Sequence, residues 1–210
     1  MKRTLRGAFT LLEVLACTIV IGLLAALLLP TYSLVKETSR RTVCTEQMRQ
    51  LGMAVGLYAS SFGQGPRDID EVVTSGQLSE NRLLLCPSDV FGGYATKVAE
   101  CHKERSRMPA LAMSYESVLW WPEHMTSALE AADPNHGIIA CRLHGARTPN
   151  FSADPDGFCS AAWLMYQGPL LRLRKDGSLQ LAKLKLFKPA VPGGAVGFHV
   201  WSLFTDEPIK

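Results

Sequence analysis

Charge is missing from one long stretch of this 210-residue chain: no Asp, Glu, Lys or Arg occurs from Val14 to Val35, 22 residues in all. An uncharged apolar run of 18 or more reads as a membrane span, and it is too long for the apolar core of a secretory signal peptide. No Ala-x-Ala site closes the run, which excludes that peptide on a second count. Net charge is scarce too, at +3. Lys2, Arg3 and Arg6 supply all of it, since 19 basic and 19 acidic residues remain beyond them. A neutral remainder gives no support to nucleic-acid binding by charge. A basic start ahead of an apolar run points to a cytoplasmic N-terminus.

Catalytic signatures are lacking as well. Gly-x-Ser-x-Gly, His-Glu-x-x-His and the phosphate loop are absent. Histidines 102, 124, 136, 144 and 199 could supply a base and Cys141 or Cys159 a nucleophile. Isolated histidines are more often structural, so the expectation is no enzyme and no cofactor. Zinc-ligand types exist in Cys86, Cys101-His102, Cys141-x-x-His144 and Cys159, but no paired Cys-x-x-Cys accompanies them. The expectation is therefore no metal. Asp154-Pro155-Asp156-Gly157 could offer oxygens to calcium but reads as a turn.

Six cysteines are present, with Cys17 inside the apolar run and Cys44, Cys86, Cys101, Cys141 and Cys159 after it. Beyond a span those five face an oxidising compartment, and an odd number closes at most two bridges. Cys86–Cys101 and Cys141–Cys159 are the preferred pairings, because each joins chain neighbours across a short loop. Cys44 is then the odd thiol. Sequence alone does not choose among the other arrangements.

A carboxylate, Glu13, stands at the leading edge of the apolar run, in Gly7-Ala8-Phe9-Thr10-Leu11-Leu12-Glu13-Val14. Pro30 follows 17 residues later and Tyr32 two beyond that. Over residues 1 to about 60 this pattern resembles the cleavage and methylation motif of type IV prepilins and type II secretion pseudopilins. The resemblance implies that residues 1–8 are a leader, removed by a membrane prepilin peptidase between Ala8 and Phe9, with N-methylation of Phe9. The family usually has Gly directly before Phe. Ala8 intervenes here, so a cut after Gly7 is the alternative. It would make Glu13 sixth instead of fifth.

In the family, Glu13 would pair with the terminal amine of a neighbouring subunit during filament assembly, and Pro30 would kink the helix. Without the resemblance, Glu13 reads as an acid snorkelling at the headgroup boundary. The implied partners are the prepilin peptidase, other pilin-like subunits, the inner-membrane assembly platform with its ATPase, and the lipid bilayer, with no nucleic acid. The implied location is a bacterial inner membrane, crossed once with the head outside, and a filament after assembly. Cys86-Pro87-Ser88-Asp89 and Asp176-Gly177-Ser178 are similar to pieces of long-headed pilin-like proteins in some bacteria.

Past Pro30, Cys44, Met48, Leu51, Val55, Tyr58 and Phe62 recur at intervals of three and four, one apolar stripe along a helix. Glu37 with Arg41 and Glu46 with Arg49 lie off that stripe. Gly63-Gln64-Gly65-Pro66 stops the helix. Residues 9–35 are then a transmembrane half, 36–63 a soluble half and 64–210 a globular head. Gly52 and Gly56 would permit close approach of a strand. Within the head, helices are expected over 68–74 and 79–85. Strands are expected over 111–120, 138–143, 170–174, 179–186 and 196–204, with an Asp176-Gly177 hairpin and a bulge near Ala182. Arg172 and Arg174 share a strand face, with Lys183 and Lys185 on the next strand, and a solvated face is the default reading. The fold class is α+β: a long pilin-like helix packed on a C-terminal antiparallel β-meander.

Overall fold

The computed structural model describes residues 10–78, 81–100, 111–121, 123–147, 166–183 and 202–207. The expected cleavage site (Gly7, Ala8, Phe9), Cys101, Cys159, the 154–157 loop and most of the expected last strand lie outside them. The chain divides into two compact units, Met1–Ser39 and Arg40–Lys210.

Helix α1 runs Leu11–Phe62 and is helical on both sides of Pro30. Its described side chains from Leu11 to Lys36 are all exposed. This is the one helix among the described residues long and apolar enough to cross a membrane, with a window of mean hydropathy 2.6. Leu11–Val35 spans roughly 37 Å at the α-helical rise, enough for a hydrocarbon core of about 30 Å.

The helix starts on a capping box. Thr10 Oγ1 accepts from the Glu13 amide at 3.3 Å, and Glu13 Oε2 accepts from the Thr10 amide at 2.8 Å and from its hydroxyl at 2.9 Å. It ends at Gly63, whose φ of +71° is the left-handed conformation that glycine adopts freely.

In the second unit the α1 stripe lies in the core. Cys44, Met48, Leu51, Ala54 and Tyr58 are buried. Two positions differ from the sequence expectation. Val55 is only partly buried, Ala54 taking the deep place, and Phe62 is exposed with its ring 4.5 Å from that of Tyr58. Gly52 does admit a strand: a Cβ there would lie 2.9 Å from Leu173 Cδ2. Gly56 would meet nothing within 4 Å.

Helix α2 (Ile69–Thr74) is capped by Asp68, which accepts from the Glu71 amide at 2.9 Å. The helix expected over 79–85 is a single 3-10 turn, Asn81–Leu84. Helices α3 (Tyr94–Glu100) and α4 (Glu123–Ala132) follow.

The sheet is small and antiparallel, four strands in the order β1 (Glu116–Ser117), β2 (Gly137–Cys141), β5 (Pro169–Arg174) and β6 (Leu179–Lys183). β3 (Ala146–Arg147) and β4 (Tyr166–Gln167) form a separate two-stranded ribbon within the β2–β5 connection. The long strand expected over 111–120 is thus only two residues of β1, followed by a 3-10 turn at Val118–Trp120. The hairpin forms where Asp-Gly placed it, with Gly177 at φ +80°.

No register shift interrupts β5–β6 through Lys183, so the bulge expected near Ala182 is absent there; the irregularity falls between Gly137 and Ile139 in β2. Glycine is needed beside that irregularity, because a Cβ at position 137 would collide with Arg172 Cγ. The solvated reading of Arg172 is also corrected: it is 1 % exposed. Residues 202–207, turns and bends in place of the expected strand end, lie over it and take its hydrogen bonds.

Candidate functional site

A short chain of backbone constraints delivers a cysteine into the core. Cys86 follows the 3-10 turn, and its amide donates to Ser114 Oγ at 2.9 Å while the Ser114 amide donates to the Leu84 carbonyl at 2.9 Å. Asp89 fixes the next residues, accepting from the amides of Phe91, Gly93 and Tyr94 at 2.7–2.9 Å and from the Ser114 hydroxyl at 2.6 Å. The Cys86-Pro87-Ser88-Asp89 string is therefore a clamp between two segments, with the Cys86 side chain turned inward.

Cys44 approaches from α1, Cys141 from the last residue of β2, and His144 from the turn that follows, where the Gly145 amide donates to the Arg142 carbonyl at 3.2 Å. The four side chains meet. Their three Sγ atoms and one imidazole nitrogen lie within 4.8 Å of one another, and all four residues are buried. Cys86 Sγ is 3.5 Å from His144 Nε2, and His144 Nδ1 is 3.4 Å from Ser88 Oγ. The Ser88 amide donates to Cys86 Sγ at 3.4 Å.

The closeness of the three thiols shifts each of them. Hydrogen bonds from Cys141 and then Cys44, with His144 beside them, hold Cys86 far below the ordinary thiol range. Burial pushes Cys141 well up, and so do the bonds it gives to Cys44 and Cys86. In Cys44 the bond from Cys141 lowers the pKa, but the bond to Cys86 together with burial outweighs it, and the thiol is raised. The buried Tyr115 beside it donates to Gln47 Oε1 at 2.8 Å, and burial, then the nearness of Cys44, raises its phenol. Three thiols and one imidazole this close together are donors that could hold a metal ion.

Cys86 and Cys141 are free thiols here, as is Cys44. Their expected bridging partners, Cys101 and Cys159, are outside the described residues. Sequence reasoning had Cys86 and the Cys141-x-x-His144 pair among zinc-ligand types but placed Cys44 as an odd core thiol. The stripe that buries Cys44 is the feature that carries it to the other three. His136 is structural: Nδ1 meets its neighbour's Gly137 carbonyl at 2.7 Å, and Nε2 meets Glu130 at 3.2 Å.

Glu13 is exposed, and its described partner is Thr10. Comparison with protein-family models, with curated proteins and with solved structures gives no match.

Proposed function

We propose that the chain is a structural subunit, major or minor, of a bacterial inner-membrane filament of the type IV pilus or type II secretion kind. One observation carries the reading. The prepilin-type string Phe9-Thr10-Leu11-Leu12-Glu13 coincides with the start of a 52-residue helix whose first part is bare and apolar and whose later part is buried in an α+β unit. Bare apolar surface of that length suits a bilayer before assembly and packing against other such helices afterwards.

In this reading prepilin peptidase removes the leader on the cytoplasmic side and methylates Phe9. An ATP-driven platform then extracts the subunit, and Glu13 meets a neighbour's amine in the filament core. A carboxylate and an amine that are both poorly satisfied in lipid pair only in the polymer, which gives assembly a register and a driving force.

The test is mass spectrometry of the mature N-terminus from membranes containing active prepilin peptidase. A methylated Phe9, or a methylated Ala8 after a cut at Gly7, is expected. An intact Met1 refutes the reading.

The alternative is a membrane-anchored domain, with binding or enzymatic activity, that never polymerises. The capping box favours it to one extent: Thr10 gives Glu13 a use that needs no neighbouring subunit.

A further inference from the structure

We propose that Cys44, Cys86, Cys141 and His144 form a tetrahedral Zn2+ site that ties the lower part of α1 to the 81–90 segment and to the end of β2. The donors come from three chain segments far apart in sequence, yet they converge on one point in the core. Three thiols are an odd set that a disulfide leaves incomplete, and a disulfide gives the imidazole no role. A four-coordinate ion uses all four groups.

The distances agree with that geometry. Zn–S bonds of about 2.3 Å and Zn–N bonds of about 2.0–2.1 Å place tetrahedral donors roughly 3.5–3.8 Å apart. The Cys86–His144 contact is 3.5 Å, and the widest donor separation is within 4.8 Å. Closure onto an ion therefore needs side-chain movements of about 1 Å or less.

The surroundings are those of a ligand set. Ser88 Oγ faces His144 Nδ1, which leaves Nε2 turned toward the thiols as the coordinating atom. The Ser88 amide donates to Cys86 Sγ, a contact that offsets thiolate charge. Binding exchanges the thiol protons for the ion and forms three Zn–S bonds and one Zn–N bond. No electron is transferred. Thiolate donors with one imidazole favour Zn2+ over hard cations such as Mg2+ or Ca2+, and a closed set of four protein ligands is that of a structural site. The ion would also keep three buried thiols from oxidation beyond the membrane. This assignment does not depend on whether the chain polymerises.

The experiment uses the full chain, purified in detergent without chelator. Elemental analysis is expected to give one zinc per chain. Replacement by Co2+ is expected to give the visible absorption of a tetrahedral thiolate-ligated ion. A triple variant, Cys17→Ser, Cys101→Ser, Cys159→Ser, should keep both signals, since the proposed set does not include those thiols. Cys86→Ala should lose them, whereas His144→Cys, which preserves four soft donors, should retain them. Ser88→Ala should weaken zinc affinity about 10–100-fold in competition with a chromophoric chelator. The proposal is overturned if the folded parent chain takes up neither ion. It is equally overturned if the metal signals vanish in the triple variant, or if peptide mapping of the parent without reduction finds any of Cys44, Cys86 and Cys141 in a disulfide. A chain that is cleaved and assembled but holds no zinc would overturn this proposal and leave the filament reading standing.

Discussion

Arg172 offers the sharpest energetic test of the head. Its guanidinium is enclosed and donates to four groups: Nε to the Leu203 carbonyl at 2.9 Å, Nη1 to Gln180 Oε1 at 3.0 Å, and Nη2 to the Ser202 carbonyl and Asp206 Oδ1 at 3.2 Å each. Asp206 is half-exposed, so its share of the ion pair is screened. The two carbonyls belong to residues that are 1 % exposed, and Arg172→Ala would strand both. Each stranded acceptor costs about 1–3 kcal/mol, and removing one partner from a buried charged network costs about 3–5 kcal/mol, so about 4 kcal/mol is expected. For a domain of this size that lowers Tm by about 8–16 °C. Arg172→Lys keeps the charge but not the planar fork, and should fall between the two. Thermal unfolding of the detergent-solubilised chain, followed by Trp fluorescence, is the assay. Proteolysis should in addition release the 202–207 segment in the alanine variant at temperatures where the parent resists. A Tm within about 2 °C of the parent would refute the argument that this guanidinium holds the segment to β5.

Three further outcomes are expected. Gly56→Ala should stabilise by about 0.5–1 kcal/mol, because nothing lies within 4 Å of its new Cβ; Gly52→Val, driven into Leu173, should cost about 1–3 kcal/mol, and the two Tm shifts must therefore have opposite signs. Glu116 and Arg142 meet at 2.9 Å in the core without hydrogen-bond geometry, and burial, against the pull of Arg142, raises the Glu116 pKa. A carboxyl whose pKa is raised on folding stabilises fully below its unfolded pKa and loses that stability as pH rises through the folded value. Arg142→Met removes the opposing charge, so its Tm deficit against the parent should grow from pH 5 to pH 8; a deficit independent of pH would show that Glu116 is not the group left uncompensated. Glu13→Ala should leave leader removal intact and reduce filament incorporation, measured as the ratio of processed to filament-associated protein in a strain with that variant as sole copy. Thr10→Val, which breaks the cap but keeps the carboxylate, should assemble normally; equal defects in both variants would mean that Glu13 acts only as a cap.

The features legible in sequence are those set by local, periodic rules. A run without charge fixed the bare part of α1, the three-and-four spacing fixed Cys44, Met48, Leu51 and Tyr58 in its buried stripe, Gly63 fixed its end, and Asp176-Gly177 fixed the hairpin. Each depends on residues within a few positions of one another, where backbone sterics and side-chain period decide the outcome. Even the start of α1 carries its signal in Thr10-x-x-Glu13, although the same carboxylate also serves the prepilin-type resemblance.

Tertiary structure decided what no local rule reaches. An alternating Leu-Arg-Leu-Arg strand is half-solvated by pattern, yet Arg172 is buried because a segment some thirty residues further on lies over that face and supplies carbonyls to it. The expected strand over 111–120 shrank to two residues because backbone and side-chain bonds tie Met113 and Ser114 to Ala95, Thr96 and Leu84, with no strand beside them among the described residues. The thiol–imidazole cluster is the clearest case. Cys44, Cys86 and Cys141 are each an ordinary buried cysteine by their neighbours in the chain, and only the packing of α1 against the sheet and the clamp at Asp89 brings their sulfurs to one point. Spacing along the chain encodes a ligand set when the ligands share a loop or a helix turn; when they arrive from a helix, a loop and a strand end, their meeting is a property of the folded core alone.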